Sequence, residues 1–273
     1  RLPGPGALPA LRALLNDGHA AVRREAVFAL AVRGELRPAR EWLASNAYDT
    51  DSRVDLASRV AAEGDLAQAL DFLLLGSPVD GETSGLAGAW ALELGLFDAA
   101  RGFLTRGLAT RPLDADLTWA RFARALQAAR DGKPEAAAWI RNCVDSAKER
   151  VDALNAAAYL LAENGLLLPM ALEFASEAAA AAAGDPHVLD TLGWTQLAAG
   201  RTAEAARTFR SFESRDGTIL YHKAIALALA GEPDGAAGSL SSALVARPGL
   251  AARARRHPAL TPLFLHTELL PWR

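Results

Sequence analysis

The sequence predicts an all-α protein, a right-handed α-α superhelix (solenoid) of tandem helix-turn-helix repeats. Three observations lead to this fold class. Hydrophobic residues make up 51% of the 273 residues while aromatic residues make up only 7%, and much of the apolar fraction is alanine, the best helix former. Apolar residues recur at the three- and four-residue spacing of amphipathic helices. Glycines separate these segments at intervals near the roughly 34-residue period of a two-helix repeat.

The separating glycines form a regular series. They are Gly34, Gly64, Gly95, Gly132, Gly165, Gly200 and Gly231, at intervals of 30, 31, 37, 33, 35 and 31 residues. Glycine enters the left-handed conformation that ends a helix without the steric cost of a Cβ atom. The longest interval contains the extended turn at residues 130–134, which precedes Ala137. Each interval therefore holds one antiparallel helix pair.

The repeat unit is clearest in residues 189–209. The pair Leu192-Gly193 lies on the first helix, Gly200 forms the turn, and Ala205 and Phe209 lie on the inward face of the second helix. Because Gly193 and Ala205 are small, the two helix axes can approach closely, and Phe209 fills the adjacent groove. The unit is an αα-hairpin.

This pattern resembles the tetratricopeptide repeat family, in which a Leu-Gly pair, a turn glycine, an alanine and a closing proline recur at these offsets. Residues 1–49 are similar to a HEAT repeat through Asp17 and the pair Val22-Arg23, although a tetratricopeptide-like interpretation through Gly34 competes. We therefore expect HEAT-like or tetratricopeptide-like helical pairs in residues 1–49, a tetratricopeptide-like array in residues 50–250, and a C-terminal capping segment in residues 251–273.

Composition argues against several classes of partner. The formal net charge is −3 and the sequence pI is near 6.0, so nothing attracts nucleic acid or an anionic membrane surface in general. No apolar run is long enough to predict a transmembrane helix. Cys143 is the single cysteine, so an intrachain disulfide is impossible. Repeats around residues 190–194 are similar to those of bacterial envelope proteins, which favours a periplasmic location, with the cytoplasm as the alternative.

The sequence offers no catalytic, metal-binding or cofactor-binding motif. No histidine has a second histidine or cysteine at a helical metal-site spacing, and phosphate-binding glycine loops and nucleophile motifs are absent; the histidines are His19, His187, His222, His257 and His266. The basic cluster Arg253, Arg255 and Arg256 is interpreted as solvating a helix end. We therefore expect no enzyme activity, no metal and no cofactor.

The resemblance to tetratricopeptide domains implies a partner-binding groove lined by first helices. Its groove-facing offsets in two neighbouring units are Asp152, Asn155, Tyr159, Glu163, His187, Asp190 and Trp194. Trp194 is the expected anchor of an interaction hot spot; the alternative is that it packs against the neighbouring repeat. Because these positions are acidic, amide or aromatic, a neutral or basic partner segment fits them best.

The sequence thus predicts a non-catalytic scaffold for protein–protein interaction. It would bind a partner segment in the groove or serve as a structural subunit of a larger bacterial complex. The alternative is an accessory repeat domain of a longer polypeptide whose catalytic or cofactor-binding domain lies upstream of Arg1.

Overall fold

The computed structural model describes residues 7–46, 49–75, 81–110 and 114–272, and in these the chain is a succession of α-helices without a β-strand. The helices are α1 Ala7–Leu14, α2 Ala20–Ala31, α3 Leu36–Ser45, α4 Thr50–Ala62, α5 Leu66–Leu74, α6 Gly81–Glu93, α7 Phe97–Thr110, α8 Asp114–Arg130, α9 Ala136–Asp145, α10 Arg150–Glu163, α11 Leu168–Ala181, α12 Pro186–Ala198, α13 Thr202–Arg210, α14 Gly217–Leu229, α15 Pro233–Ala246 and α16 Leu250–Arg256. Two 3₁₀ helices follow, at Thr261–Leu265 and Thr267–Trp272.

Helices α2 to α15 pack as consecutive pairs, each joining a first helix to the second helix that follows it. The pairs are α2 with α3, α4 with α5, α6 with α7, α8 with α9, α10 with α11, α12 with α13, and α14 with α15. Second helices pack on the next first helix, as α11 does on α12, and neighbouring first helices contact one another, as α10 does with α12. The predicted superhelix of tandem helix-turn-helix repeats is confirmed. We call the surface lined by the first helices the inner face.

The turns between paired helices form where the glycine series predicts them. All seven glycines of the series have positive φ, between 63° at Gly165 and 90° at Gly64. After Gly64, the side chain of Asp65 accepts a hydrogen bond of 3.1 Å from the backbone N–H of Gln68 and caps α5. Local backbone chemistry therefore favours a turn at each of these positions.

Close contact between paired helices depends on small residues at fixed positions. A Cβ atom on Gly193 would lie only 2.5 Å from Cε2 of Phe209, and one on Gly88 only 2.5 Å from Cγ of Leu104. The alanine of the second helix is fully buried in six units, at Ala39, Ala69, Ala100, Ala171, Ala205 and Ala236. In the unit that contains α9, the longer turn buries Ala136 in place of Ala137.

Candidate partner-binding site

Three of the expected groove residues form one cluster on the inner face. Tyr159 and Glu163 lie one turn apart on α10, and Trp194 lies opposite them on α12. The indole Nε1 of Trp194 donates a hydrogen bond of 2.9 Å to Oε2 of Glu163. The cluster therefore spans the boundary between two repeats and combines two aromatic surfaces with a carboxylate.

Trp194 is half-buried because it also packs against the next repeat. Its ring stacks on the imidazole of His222 in α14, with centroids 4.3 Å apart and planes inclined at 24°. Trp194 thus packs against a neighbouring repeat, as the alternative interpretation of the sequence predicts. Its Nε1 hydrogen bonds to Glu163, so any role of the indole in binding is combined with a structural one.

Asp190 is a buried structural residue. Its carboxylate oxygens lie 2.9 Å and 3.1 Å from Nδ1 of His222, and both side chains are nearly inaccessible. An ionised carboxylate can only accept, so Nδ1 of His222 carries the hydrogen and donates it. The pair joins α12 to α14 beneath Trp194, and Asp190 consequently offers little surface to a partner.

The electrostatics of the inner face is dominated by carboxylates close to aromatic rings. Burial, followed by the negative charge of Glu163, raises the pKa of Glu93 at the end of α6, and Arg253 lowers it. Burial and then the charges of Glu163 and Glu93 raise the pKa of the Tyr159 hydroxyl well above its usual range. The face therefore favours a cation.

The remaining expected residues lie apart from this cluster. Asp152 and His187 are exposed near the N-terminal ends of α10 and α12. Asp152 is 11 positions before Glu163, about 16 Å along the helix at 1.5 Å per residue. Asn155 is half-buried between them, and its Oδ1 is buried without a hydrogen-bond partner among the described residues. These three positions form a polar strip leading to the cluster.

Sequence reasoning missed three residues of the inner face, His222, Glu93 and Arg253. His222 follows Asp190 by 32 residues, and this separation of about one repeat places the two on neighbouring first helices.

Arg253, interpreted from the sequence as solvating a helix end, has its Nη2 3.9 Å from Oε1 of Glu163. Its neighbour Arg255 binds the end of the second 3₁₀ helix, donating from Nε to the carbonyl of Trp272 at 3.1 Å.

The described residues contain no group of three His, Cys, Asp or Glu side chains arranged to hold a metal ion. Cys143 is buried, and burial raises the pKa of its thiol, which keeps it protonated and unreactive at neutral pH. Within the described ranges no helix is both long and apolar enough to cross a bilayer.

The stacked helix pairs define the chain as an α-solenoid of tandem two-helix repeats. It is similar to a tetratricopeptide repeat protein from Parabacteroides merdae, with 14% identity over 97% of this chain and 99% of that one, at a TM-score of 0.48. It is also similar to the type IV pilus biogenesis factor PilW, with 16% identity over 79% of this chain and 98% of that one (TM-score 0.42). A third similar structure is that of Cut9-Hcn1 of the APC/C, with 15% identity over 97% of this chain and 54% of that one (TM-score 0.44). No protein-family model and no curated protein matches the sequence.

Proposed function

We propose that this chain is a non-catalytic scaffold that holds a short segment of a partner protein on its inner face. Asp152, Asn155, Tyr159, Glu163 and Trp194 would contact the partner directly, whereas Asp190, paired with His222, would support Trp194 from below. His187 lies at the rim, where a long partner segment would pass. The same surface would serve if the chain is a fixed subunit of a larger assembly.

The observation that carries this proposal is the half-buried cluster of Trp194, Glu163 and Tyr159 on a continuous face of first helices. Hot spots combine an aromatic anchor with hydrogen-bonding groups whose positions are fixed before binding. Stacking on His222 and the hydrogen bond to Glu163 fix the indole in this way. Trp194 would therefore lose less side-chain entropy on binding than a freely rotating tryptophan would.

The chemistry of the face selects the partner. Glu93 and Glu163 supply negative charge, and the aromatic rings supply faces on which a cation can rest. A neutral or basic segment is therefore favoured over an acidic one, as the sequence predicts. Electrostatic attraction of this kind accelerates association and weakens as salt screens it.

Site-specific photocrosslinking tests the proposal. A photoreactive amino acid placed at Asp152, on the inner face, is expected to crosslink a partner protein in cells. The same amino acid at Glu204, which is on second helix α13 beside Arg201, is the matched control. Partners recovered by mass spectrometry are then titrated calorimetrically against wild type and Glu163→Gln.

Specific crosslinks from Asp152, together with weaker binding of the recovered partner by Glu163→Gln, would support the inner face as the binding surface. Equal crosslinking from Glu204, or none from Asp152 under conditions where the chain is abundant, would contradict it.

A further inference from the structure

The C-terminal helix α16 lies on the inner face and contacts a helix far back in the chain. The backbone N–H of Gly249 donates a hydrogen bond of 2.6 Å to Oε2 of Glu63, which is 186 residues earlier and directly follows α4. A Cβ atom on Gly64 would lie 3.2 Å from Cδ2 of Leu250, so these two turns are in van der Waals contact. Helix α16 therefore links the last helix pair to the turn of the pair formed by α4 and α5.

One turn further along α16, Arg253 faces the carboxylates and rings of the inner face. Its guanidinium lies 3.9 Å from Glu163 and 5.4 Å from the ring centroid of Tyr221 on α14. The positive charge of Arg253 also lowers the pKa of Glu93 on α6. The arginine is thus placed among three first helices that favour a cation, beside the cluster expected to bind a partner.

The attachment of α16 is narrow. Its buried side chains are Leu250, Ala251 and Ala254, which together present a small apolar surface. The side chain of Arg253 remains 45% exposed, and exposed ion pairs of this kind contribute little stability because water and salt screen them. A helix of seven residues does not persist on its own in water. The contacts that α16 makes with the inner face through Leu250 and Arg253 are therefore ones that another segment could replace, whereas Arg255 ties the helix to the C-terminal 3₁₀ helices.

We propose that residues 249–257, which we call the occupant segment, are an autoinhibitory internal ligand of the inner face. A partner displaces it by presenting the same chemistry, a short helical segment with a leucine and, three residues later, an arginine, separated by alanines. This inference rests on the proposed function and specifies its partner and its regulation. Displacement frees Glu163, Glu93 and Tyr221 for the arginine of the incoming segment.

Gly249 provides an opening variant that leaves the repeats untouched. Its φ of −62° is compatible with any residue, but a Cβ atom there would lie 2.4 Å from Cβ of Glu63. Gly249→Ala consequently clashes only when the occupant segment is docked. Gly102→Ala is the matched control, because a Cβ atom on Gly102 meets nothing within 4 Å.

The probe is a fluorescent, end-blocked peptide of residues 248–258, titrated against the full chain and followed by anisotropy. We expect Gly249→Ala to bind the peptide at least about tenfold more tightly than wild type or Gly102→Ala. In that variant the occupant segment no longer competes with the peptide for the inner face. Adding Glu163→Gln to Gly249→Ala, or replacing the arginine at position 253 of the peptide by alanine, should reverse the gain. Equal binding to wild type and Gly249→Ala overturns the proposal.

Hydrogen exchange of the full chain tests the same inference without a peptide. The amides of α16 in wild type are expected to exchange at least about tenfold faster than those of α12, and faster still in Gly249→Ala. Exchange of α16 as slow as that of α12 would show a permanent structural element and overturn autoinhibition. The crosslinking experiment separates the two proposals. If the photoreactive amino acid at Asp152 crosslinks a partner equally in wild type and Gly249→Ala, autoinhibition by the occupant segment fails and the proposed function stands. If it crosslinks no partner in either protein, the proposed function fails.

Discussion

The carboxylate of Asp190 accepts a hydrogen bond from Nδ1 of His222 at 2.9 Å, and this buried contact supports the indole of Trp194 from below. The two residues are 32 positions apart and lie on the first helices α12 and α14. A polar pair inside an alanine-rich stack fixes how one repeat sits on the next, because only one register satisfies both groups. The orientation of the Trp194 indole therefore depends on a buried contact between two neighbouring repeats.

Asp190→Ala tests the contribution of this pair. The substitution leaves the Nδ1 hydrogen of His222 buried without an acceptor, which typically costs about 1–3 kcal/mol. We expect the free energy of unfolding, measured by urea denaturation with circular dichroism, to fall by an amount in that range. Asp234→Ala is the control, since Asp234 pairs with His266 at 3.2 Å on the surface with its side chain 94% exposed. An equal loss in both variants would contradict the argument.

Gly193→Ala tests the close approach of paired helices. The added methyl group would meet the ring of Phe209 at 2.5 Å, and overpacking of a filled interior costs about 1–3 kcal/mol. The urea midpoint should fall, and Gly193→Leu should lower it further. Gly85→Ala in α6 has open space around the new methyl group and should stabilise the chain by roughly 0.5–1 kcal/mol through helix propensity. A neutral Gly193→Ala would show that α12 and α13 separate at little cost.

Glu93→Gln tests the electrostatics of the inner face. The pKa of Glu93 is raised in the folded chain, so the folded state retains the proton longer than the unfolded state. Ionisation therefore destabilises the fold as the pH rises from the unfolded pKa of about 4.3 through the folded value. We expect Glu93→Gln to be more stable than wild type at pH 7 and to lose that advantage near pH 4. Urea denaturation across this range measures the difference.

The same comparison in an Arg253→Ala background links Glu93 to the occupant segment. Arg253 lowers the pKa of Glu93, so its removal should widen the stability gap between Glu93 and the glutamine variant at pH 7. If the stability difference between wild type and Glu93→Gln does not change with pH, or is the same with and without Arg253, Glu93 does not belong to this charge cluster.

Deletion of residues 1–48 tests whether stability arises from stacking of neighbouring units. Helices α1 to α3 contact the rest mainly through α2 on α4, so their loss removes one interface and leaves the others intact. We expect a lower melting temperature with unchanged helicity per remaining residue by circular dichroism. Loss of the cooperative transition altogether would instead indicate that the superhelix folds as one indivisible unit.

The agreement between sequence and structure is close for the repeats and loose for the site. The glycines with positive φ and the contact of Gly193 with Phe209 follow from the sequence because they depend on one turn or one helix pair. The site residues, in contrast, were assigned to the groove only from their positions within the repeat. Trp194 donates a hydrogen bond to Glu163, whereas Asp190 is buried against His222 because the next repeat covers it. A repeat offset identifies a face of a helix and does not report what the neighbouring helix places against it.

The sequence by itself determined the helical class, the period and the turn positions, since backbone freedom and side-chain size act over a few tens of residues. Only the tertiary structure decided which residues share the inner face and that α16 lies on it beside Glu63. Each repeat rotates slightly relative to the one before, and these rotations accumulate along the stack. Residues 186 positions apart meet through that sum, which no local pattern in the chain encodes.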